Sequence, residues 1–308
     1  NVAVGLQALF SNTVGGNSVA LGNWALYSNT TEGSNVAIGY QALYSVTSGG
    51  NNLAIGAQSG YNITTGNDNT AVGGYRALYS NTTGASNTAI GREALLSNTT
   101  ADGNTAVGYQ SAYSNTTGTR NAAFGIQALY SNVTGTDNTA IGRVALNANT
   151  ASANTAVGSG ALYANTTGNY NTATGQGAMQ GNTTGAYNTA LGASALLSNT
   201  TASYSTAAGY WSLKTSNARN TAYGAFSGYQ TTSGSNNTFI GDSTATDNTT
   251  GSYNTAVGDS ALNKNTTASQ NTAVGYQAGY ANTTGTQNTF LGHQAGVGNT
   301  TGSYNDFV

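Results

Sequence analysis

The residues of this chain that could carry out chemistry are few and scattered. His293 is the only histidine, so a Ser–His–Asp triad could form at one position near the end of the chain and nowhere else. Cysteine is absent, which removes disulfides and thiolate metal sites. We therefore expect a protein that is not an enzyme, with no catalytic residue and no cofactor.

Acidic residues are equally sparse and fall at different positions of the repeating pattern. They are Asp68, Asp102, Asp137, Asp242, Asp247, Asp259, Asp306, Glu32 and Glu93. A calcium-binding nonapeptide array requires an aspartate once per turn, so this spacing predicts no metal site. Seven lysine and arginine residues and a net charge of −2 leave no basic patch, so nucleic acid is not an expected partner.

Asn-x-Thr sequons are more regular, and we expect most of them on one exposed corner. They occur at Asn29, Asn62, Asn81, Asn98, Asn115, Asn132, Asn165, Asn182, Asn199, Asn236, Asn248, Asn265, Asn282 and Asn299. A column of N-glycans is one interpretation. The other is that Asn-Thr-Thr-Gly is favourable turn chemistry and the sequon is incidental.

Tyrosines recur in two sets that could form aromatic columns. The first follows a recurring glycine by five residues and contains Tyr27, Tyr44, Tyr61, Tyr113, Tyr130, Tyr163, Tyr229 and Tyr280. The second precedes a recurring asparagine and contains Tyr170, Tyr187, Tyr204, Tyr253 and Tyr304. Such rings could bind sugars, or they could stack between repeats or pack against a sister chain.

These residues are positioned by one short repeat, Asn-Thr-Ala-Val-Gly, that recurs along the whole chain. The glycines that close its copies are Gly5, Gly22, Gly39, Gly56, Gly73, Gly91, Gly108, Gly125, Gly142, Gly158, Gly175, Gly192, Gly209, Gly224, Gly241, Gly258, Gly275 and Gly292. Fourteen of the seventeen intervals are 17 residues, and the others are 18, 16 and 15. A short fixed period is typical of a solenoid, in which each repeat packs on its neighbours.

Alternation of residue types within the repeat indicates a short strand with two different faces. The apolar residue before the glycine should point away from the alanine and asparagine before it. A second extended stretch is expected at Ala8-Leu9-Phe10 and at the equivalent Ala25-Leu26-Tyr27, followed by an Asn-Thr-Gly turn. The asparagine four residues before the glycine should stack on itself as a ladder. Its members include Asn35, Asn69, Asn87, Asn104, Asn138, Asn171, Asn188, Asn254, Asn271 and Asn288.

The predicted fold is an all-β, parallel β-solenoid of about 18 coils, one 17-residue repeat to a coil. Residues 1–308 should form one continuous array, which we interpret as a piece of a longer polypeptide. A coil spacing of about 4.8 Å gives a rod about 85 Å long. The extra residue, Gly74, and the shortened segments Thr150–Ala153 and Thr215–Arg219 should lie at corners. No apolar run reaches the roughly 18 residues needed to cross a membrane, so no membrane insertion is expected.

The small core of such a coil suggests that several chains associate. We expect the alanine two residues before the glycine to form a flat face that another copy approaches closely. Self-association, as a homotrimer or a fibre, is the partner interaction that this pattern favours.

Asn17-Ser18-Val19-Ala20-Leu21-Gly22 resembles the head repeats of trimeric autotransporter adhesins (YadA-like heads). Asn271-Thr272-Ala273-Val274-Gly275-Tyr276-Gln277-Ala278 is similar to repeats of bacteriophage tail fibres. The resemblance covers the whole chain and implies a left-handed β-roll of three chains side by side, outside the cell or on a virion. The copies here are somewhat longer than those of the adhesin heads and have a threonine-rich corner.

The function expected from these features is structural: the shaft or head of an extracellular fibre that spaces or displays a receptor-binding part. One alternative is a binding module whose repetitive surface holds cell-surface glycans or a protein receptor. Another is an ice-binding solenoid, suggested by the threonine three residues before many of the glycines.

Overall fold

The computed structural model describes residues 1–308, which contain β-strands and turns and no α-helix. The residues divide into two compact units, Asn1–Asn154 and Thr155–Val308. Each unit is a parallel β-solenoid built from coils of the predicted length. Counted along the chain there are about eighteen coils, which confirms the predicted fold class at this level.

Each coil contributes one short strand. In the first unit the strands are β1 Val2–Val4, β2 Val19–Leu21, β3 Val36–Ile38, β4 Leu53–Ala57, β5 Thr70–Tyr75, β6 Thr88–Ile90, β7 Thr105–Val107, β8 Ala122–Phe124 and β9 Thr139–Ile141. In the second they are β10 Thr155–Val157, β11 Thr172–Thr174, β12 Thr189–Leu191, β13 Thr206–Ala208, β14 Asn220–Tyr223, β15 Asn237–Ile240, β16 Thr255–Val257, β17 Thr272–Val274, β18 Thr289–Leu291 and β19 Asp306–Phe307.

Within each unit, consecutive strands pair in parallel and in register, so equivalent residues face each other. Ala89 lies opposite Ala106 in the first unit, and Ala173 lies opposite Ala190 in the second. The same residue type therefore recurs at the same position in successive coils. A side chain that both donates and accepts hydrogen bonds, such as an amide, can then bond to the equivalent side chain of the next coil.

The shortened coils lose residues outside the strands, as predicted, but the expected corner position of the extra Gly74 is wrong, because Gly74 lies inside β5. It forms a bulge there: Ile55 pairs with Val72 and Ala57 pairs with Tyr75, which leaves one extra residue on β5 between the two pairs. The 15-residue coil keeps Ala207 opposite Ala222, because the missing residues are lost from its corner and not from its strand. Register on a buried face resists slippage, since a shift of one residue would turn every side chain to the wrong side.

The second extended stretch expected in each coil is wrong: the chain there forms successive turns. Alternate residues adopt left-handed backbone angles, for example φ 58° at Glu93 and 49° at Leu95. The turn is closed by the Ala94 N–H, which donates to the Gly91 carbonyl at 3.3 Å. The Leu95 N–H still reaches the next coil, at Ser111 O, 3.0 Å away. These turns direct the leucine inward without losing the hydrogen bonds between coils.

The interior of a coil is half polar. In the coil that starts at Asn87, the side chains of Asn87, Ala89, Ala94, Leu95 and Asn98 are all fully buried. The predicted alanine face is therefore not a surface, and the expectation that a second chain approaches it is wrong. Alanine fits because the coil is too narrow for larger residues on both sides of its interior.

The closing glycine is required by both backbone conformation and space. Gly125 has φ +130°, and a Cβ at this position would lie 2.7 Å from the carbonyl oxygen of Gly142 in the next coil. Residues with a side chain rarely adopt this angle, and the neighbouring backbone cannot move aside without breaking its own pairing.

Candidate functional site: asparagine ladders, tyrosine stacks and the outer face

The predicted asparagine ladder lies inside the coils, just before each strand, and we call it the strand-side ladder. All ten asparagines predicted to belong to it are at most 2% exposed. The Asn104 side-chain oxygen accepts from the backbone N–H and the amide of Asn121, at 2.9 and 3.2 Å. Its amide donates to the carbonyl of Gly118 at 2.8 Å. Each asparagine thus links its own coil to the next.

A second ladder, at the threonine-rich corner, was not foreseen, and we call it the corner ladder. Asn98, Asn115 and Asn132 follow one another in it, each amide donating to the side-chain oxygen of the preceding asparagine at 2.8–3.0 Å. The same amides also donate to the carbonyl three residues further along, as from Asn115 to Gly118 at 2.9 Å. Each of these asparagines lies seven residues after the closing glycine of its repeat. This fixed position is the sequence signal that could have revealed the ladder.

The two ladders meet at one carbonyl in the coils that have an asparagine in both. Gly84 O accepts from Asn69 of the strand-side ladder at 2.9 Å and from Asn81 of the corner ladder at 2.8 Å. This carbonyl lies at a corner, where no neighbouring strand can supply a partner. Because buried carbonyls need a partner, the two amides hold the corner closed across the narrow interior. The side-chain amides at this carbonyl are thus used by the fold itself.

Three side-chain oxygens of the corner ladder have no hydrogen-bond partner: those of Asn29, Asn132 and Asn199. Each precedes an irregularity. Val46 and Ser216 replace the next asparagine after Asn29 and Asn199, and the coil after Asn132 is one residue shorter. An amide ladder is therefore weakest where its sequence is interrupted, since each break leaves a buried acceptor unpaired.

The expected exposed corner of sequons is wrong for most of the sequons. Eleven asparagines are fully buried in the corner ladder: Asn29, Asn81, Asn98, Asn115, Asn132, Asn165, Asn182, Asn199, Asn248, Asn265 and Asn282. Asn236 is exposed, and Asn62 and Asn299 are half-buried. Buried amides that already donate to two acceptors leave no room for a sugar, so the turn-chemistry interpretation agrees with this placement.

We expect glycosidase treatment to leave the mass of the protein isolated from its native source unchanged. The reason is that a glycan on a corner-ladder asparagine would have to be accommodated in a close-packed interior. Intact-mass spectrometry before and after glycosidase treatment measures this directly. Glycans at Asn98 or Asn115 in folded material would contradict the burial of the ladder, whereas glycans confined to Asn62, Asn236 or Asn299 would not.

The first tyrosine set forms stacks between coils where its members occur in consecutive coils. Tyr27, Tyr44 and Tyr61 stack with ring centroids 5.0–5.1 Å apart and planes within 5° of parallel, and Phe10 and Tyr79 extend the stack. Burial raises the pKa of Tyr61, and the neighbouring phenols of Tyr44 and Tyr79 raise it further. Because the ring faces are covered by one another, they are not available for stacking on a sugar.

Other members of the first set are arranged differently. Tyr113 and Tyr130 form a separate stacked pair at 5.1 Å. Tyr229 instead packs on Trp211, with Lys214 placed over both rings. Tyr163 and Tyr280 have non-aromatic residues at the equivalent position in the neighbouring coils, so the structure does not join them to a stack.

The second tyrosine set lies at an exposed corner. Tyr170, Tyr187 and Tyr204 stack on each other, while Tyr253 and Tyr304 occupy the same position without an aromatic neighbour. Their exposed fractions range from 50% at Tyr187 to 79% at Tyr304. This corner is the most accessible aromatic feature of the chain.

The charged residues form isolated surface pairs. Arg120 contacts Asp137 at 2.7 Å, which raises the pKa of the guanidinium and lowers that of the carboxyl. Lys264 contacts Asp247 at 3.0 Å, and this hydrogen bond raises the pKa of the ammonium group. The third pair joins Arg92 and Glu93. Exposed pairs of this kind contribute little to stability.

The residues first considered for chemistry are not brought together. His293 stacks on Tyr276, with ring centroids 5.3 Å apart, on an exposed part of the second unit. An open polar groove of about 560 Å³ in the first unit is lined in part by Glu32 and Asp68. No group of three or more histidine, cysteine, aspartate or glutamate residues is placed to hold a metal ion.

One face of each coil, formed by the strands, combines a threonine row with an apolar row, and we call it the outer face. The residue before the closing glycine lies on the opposite side of the strand from the alanine, as predicted, and it points outward: it is 40% exposed at Ile90, 38% at Phe124 and 42% at Ile141. Thr88, two residues before Ile90, is half-buried on the same side. The outer face is therefore a regular surface that is partly apolar.

Comparison with family models, with curated proteins and with solved structures finds no match to this chain. No helix long and apolar enough to cross a membrane is present.

Proposed function

We propose that this chain is a structural segment, the shaft or head, of an extracellular fibre, and that it spaces or displays a receptor-binding part. The observation that carries the proposal is the internal use of its polar groups. In almost every coil, the asparagine side-chain amides of the two ladders donate hydrogen bonds within the protein. The hydrogen bonds between successive members of a ladder join one coil to the next. Such a design gives length and stiffness from a small repeat, which is what a spacer requires.

The proposed fibre is a side-by-side homotrimer of left-handed coils, as in the adhesin heads and tail fibres that the repeat resembles. The contact between chains is the outer face rather than the alanine column, because its apolar row is partly solvent-exposed and recurs in most coils, with Thr174 as an interruption. Association would remove this row from water, which is the usual source of free energy for such an interface.

Replacing Ile90 and Ile141 together by lysine is expected to convert the assembly to monomers while leaving the coil intact. Lysine would place two charges in each copy of the interface. The matched control replaces Thr83 and Thr117, which are exposed at the threonine-rich corner, by lysine and should keep the assembly. Light scattering measures the mass, and far-ultraviolet circular dichroism reports the fold. A wild-type chain that is monomeric at micromolar concentration would refute the trimer.

The alternative function, a binding module for cell-surface glycans or a protein receptor, is favoured by one observation. Tyr40, Tyr109, Tyr210 and Tyr276 follow closing glycines and are 41–46% exposed beside the outer face. A glycan array and a cell-binding assay distinguish the two functions, because a spacer should bind neither glycans nor cells.

Ice binding is less favoured, since the threonine row is accompanied by an apolar row and not by a second threonine row.

A further inference from the structure

We propose that Tyr170, Tyr187 and Tyr204 form an oxidative cross-linking site, at which hydrogen peroxide and a haem peroxidase join neighbouring rings as dityrosine. The ring centroids of Tyr170 and Tyr187 are 5.0 Å apart, and those of Tyr187 and Tyr204 are 5.2 Å apart. The planes are within 11° and 1° of parallel. Equivalent ring carbons of successive coils are therefore held close together before any oxidation.

Accessibility distinguishes this stack from the others. The three side chains are 57%, 50% and 59% exposed, so an oxidant in solution can reach each phenol. The rings of Tyr27, Tyr44 and Tyr61 are stacked at similar distances but are only partly exposed. Tyr170, Tyr187 and Tyr204 combine close stacking with open access.

The backbone holds the stack in place. All three tyrosines adopt left-handed angles, φ 58°, 58° and 62°. The N–H of Tyr187 donates to Asn169 O, and that of Tyr204 donates to Ala186 O, both at 3.1 Å. Fixing two reactants beside each other makes their reaction effectively unimolecular, which favours coupling within the chain over coupling between chains.

Hydrogen peroxide takes up the electrons and protons that the two phenols release in the proposed step. Each phenol loses one electron and its proton to give a phenoxyl radical, and the two radicals form one bond between the ring carbons next to the hydroxyls. The hydrogen on each of these carbons then moves to the phenol oxygen. Two electrons and two protons leave the pair of tyrosines, and they reduce hydrogen peroxide to two molecules of water.

The chain contains a matched control. Tyr253 and Tyr304 have the same corner position and the same backbone angles, φ 58° and 62°, and are more exposed, at 63% and 79%. Their neighbours at this position are Asn236, Gln270 and Gln287, so neither has a ring to couple with. If exposure alone decided the reaction, these two tyrosines would react first.

The test treats the dilute folded protein with a haem peroxidase and limiting hydrogen peroxide, then digests it with trypsin. The peptide 144–214, which contains all three stacked tyrosines, should lose two hydrogen atoms, with fragment ions placing the link at Tyr187. The peptide 220–264, which contains Tyr253, should not. Dityrosine fluorescence of the isolated peptides gives the yield.

Tyr187→Phe should lower the yield in peptide 144–214 by about tenfold or more, because Tyr170 and Tyr204 are then two coils, about 10 Å, apart. Phenylalanine keeps the ring stack, so circular dichroism should be unchanged, and Tyr253→Phe should leave the yield unchanged. Undiminished coupling in Tyr187→Phe would overturn the proposal. So would cross-links found only between chains on a denaturing gel, or coupling at Tyr253 or Tyr304 as extensive as in the stack.

Discussion

Substitution of Gly125 by alanine is expected to lower the free energy of unfolding by about 4 kcal/mol. A positive φ unsuited to side chains and overpacking against backbone each contribute about 2 kcal/mol. The new methyl group would lie 2.7 Å from the Gly142 carbonyl oxygen and 2.8 Å from its carbon. Because these atoms belong to the neighbouring coil, the clash would separate the two coils. Urea denaturation measures the loss, and faster amide hydrogen exchange around Gly125 locates it.

Gly103→Asn is the matched control for this prediction. Gly103 has φ +68°, and a Cβ there would meet only the Arg120 side chain, at 3.8 Å. The equivalent residues of the neighbouring coils, Ser86 and Arg120, already adopt this conformation with a side chain. The free energy of unfolding should change by less than about 1 kcal/mol. Equal losses in the two variants would mean that the closing glycine is not conformationally special.

The second large effect is expected for Asn104→Ala, which should destabilise the first unit by about 3 kcal/mol. The variant leaves the buried N–H of Asn121 without an acceptor and opens a cavity in the strand-side ladder. It also removes one of the two amides that donate to the Gly118 carbonyl. Urea denaturation of the full chain, followed by circular dichroism, measures the change.

Two further variants make this result specific to the ladder. Asn104→Ser should cost less, because serine stands at this position naturally: Ser18 accepts from Asn35 N at 3.3 Å, and Ser205 donates to Ala218 O at 3.1 Å. Asn62→Ala, at a half-buried sequon outside both ladders, should change stability by less than about 0.5 kcal/mol. If Asn104→Ala behaved like Asn62→Ala, the ladder would not be a source of stability.

Much of the fold could be predicted because equal spacing along a chain becomes equal position in a coil. The closing glycines gave the coil length, and the Thr-Ala-Val alternation correctly placed the alanine and the valine on opposite sides of the strand. The strand-side asparagines were also anticipated as a ladder. Each of these conclusions depends on local geometry, namely the two-residue period of a strand and the stacking of identical repeats.

The candidate sites were harder to predict, because a period does not say which way a column of side chains points. Corner asparagines such as Asn98 were placed at the surface, where polar turn residues usually lie, yet they are fully buried. Alanine was assigned to a contact between chains, because the sequence could not show that it faces asparagine and leucine across a narrow interior. The apolar row at Ile90 and Ile141 was recognised as the opposite face, but its place as the proposed contact surface became evident only from exposure.

The sequence by itself determined that this chain is a β-solenoid with one strand in each 17-residue coil, since repetition and alternation are properties of the residue order. Only the tertiary structure decided where the coil bends and which columns of equivalent side chains lie inside it. The bends depend on left-handed backbone angles at residues such as Glu93 and Leu95, which residue type alone does not specify. These angles turn the leucine and both asparagines inward, where buried amides must find partners in the next coil.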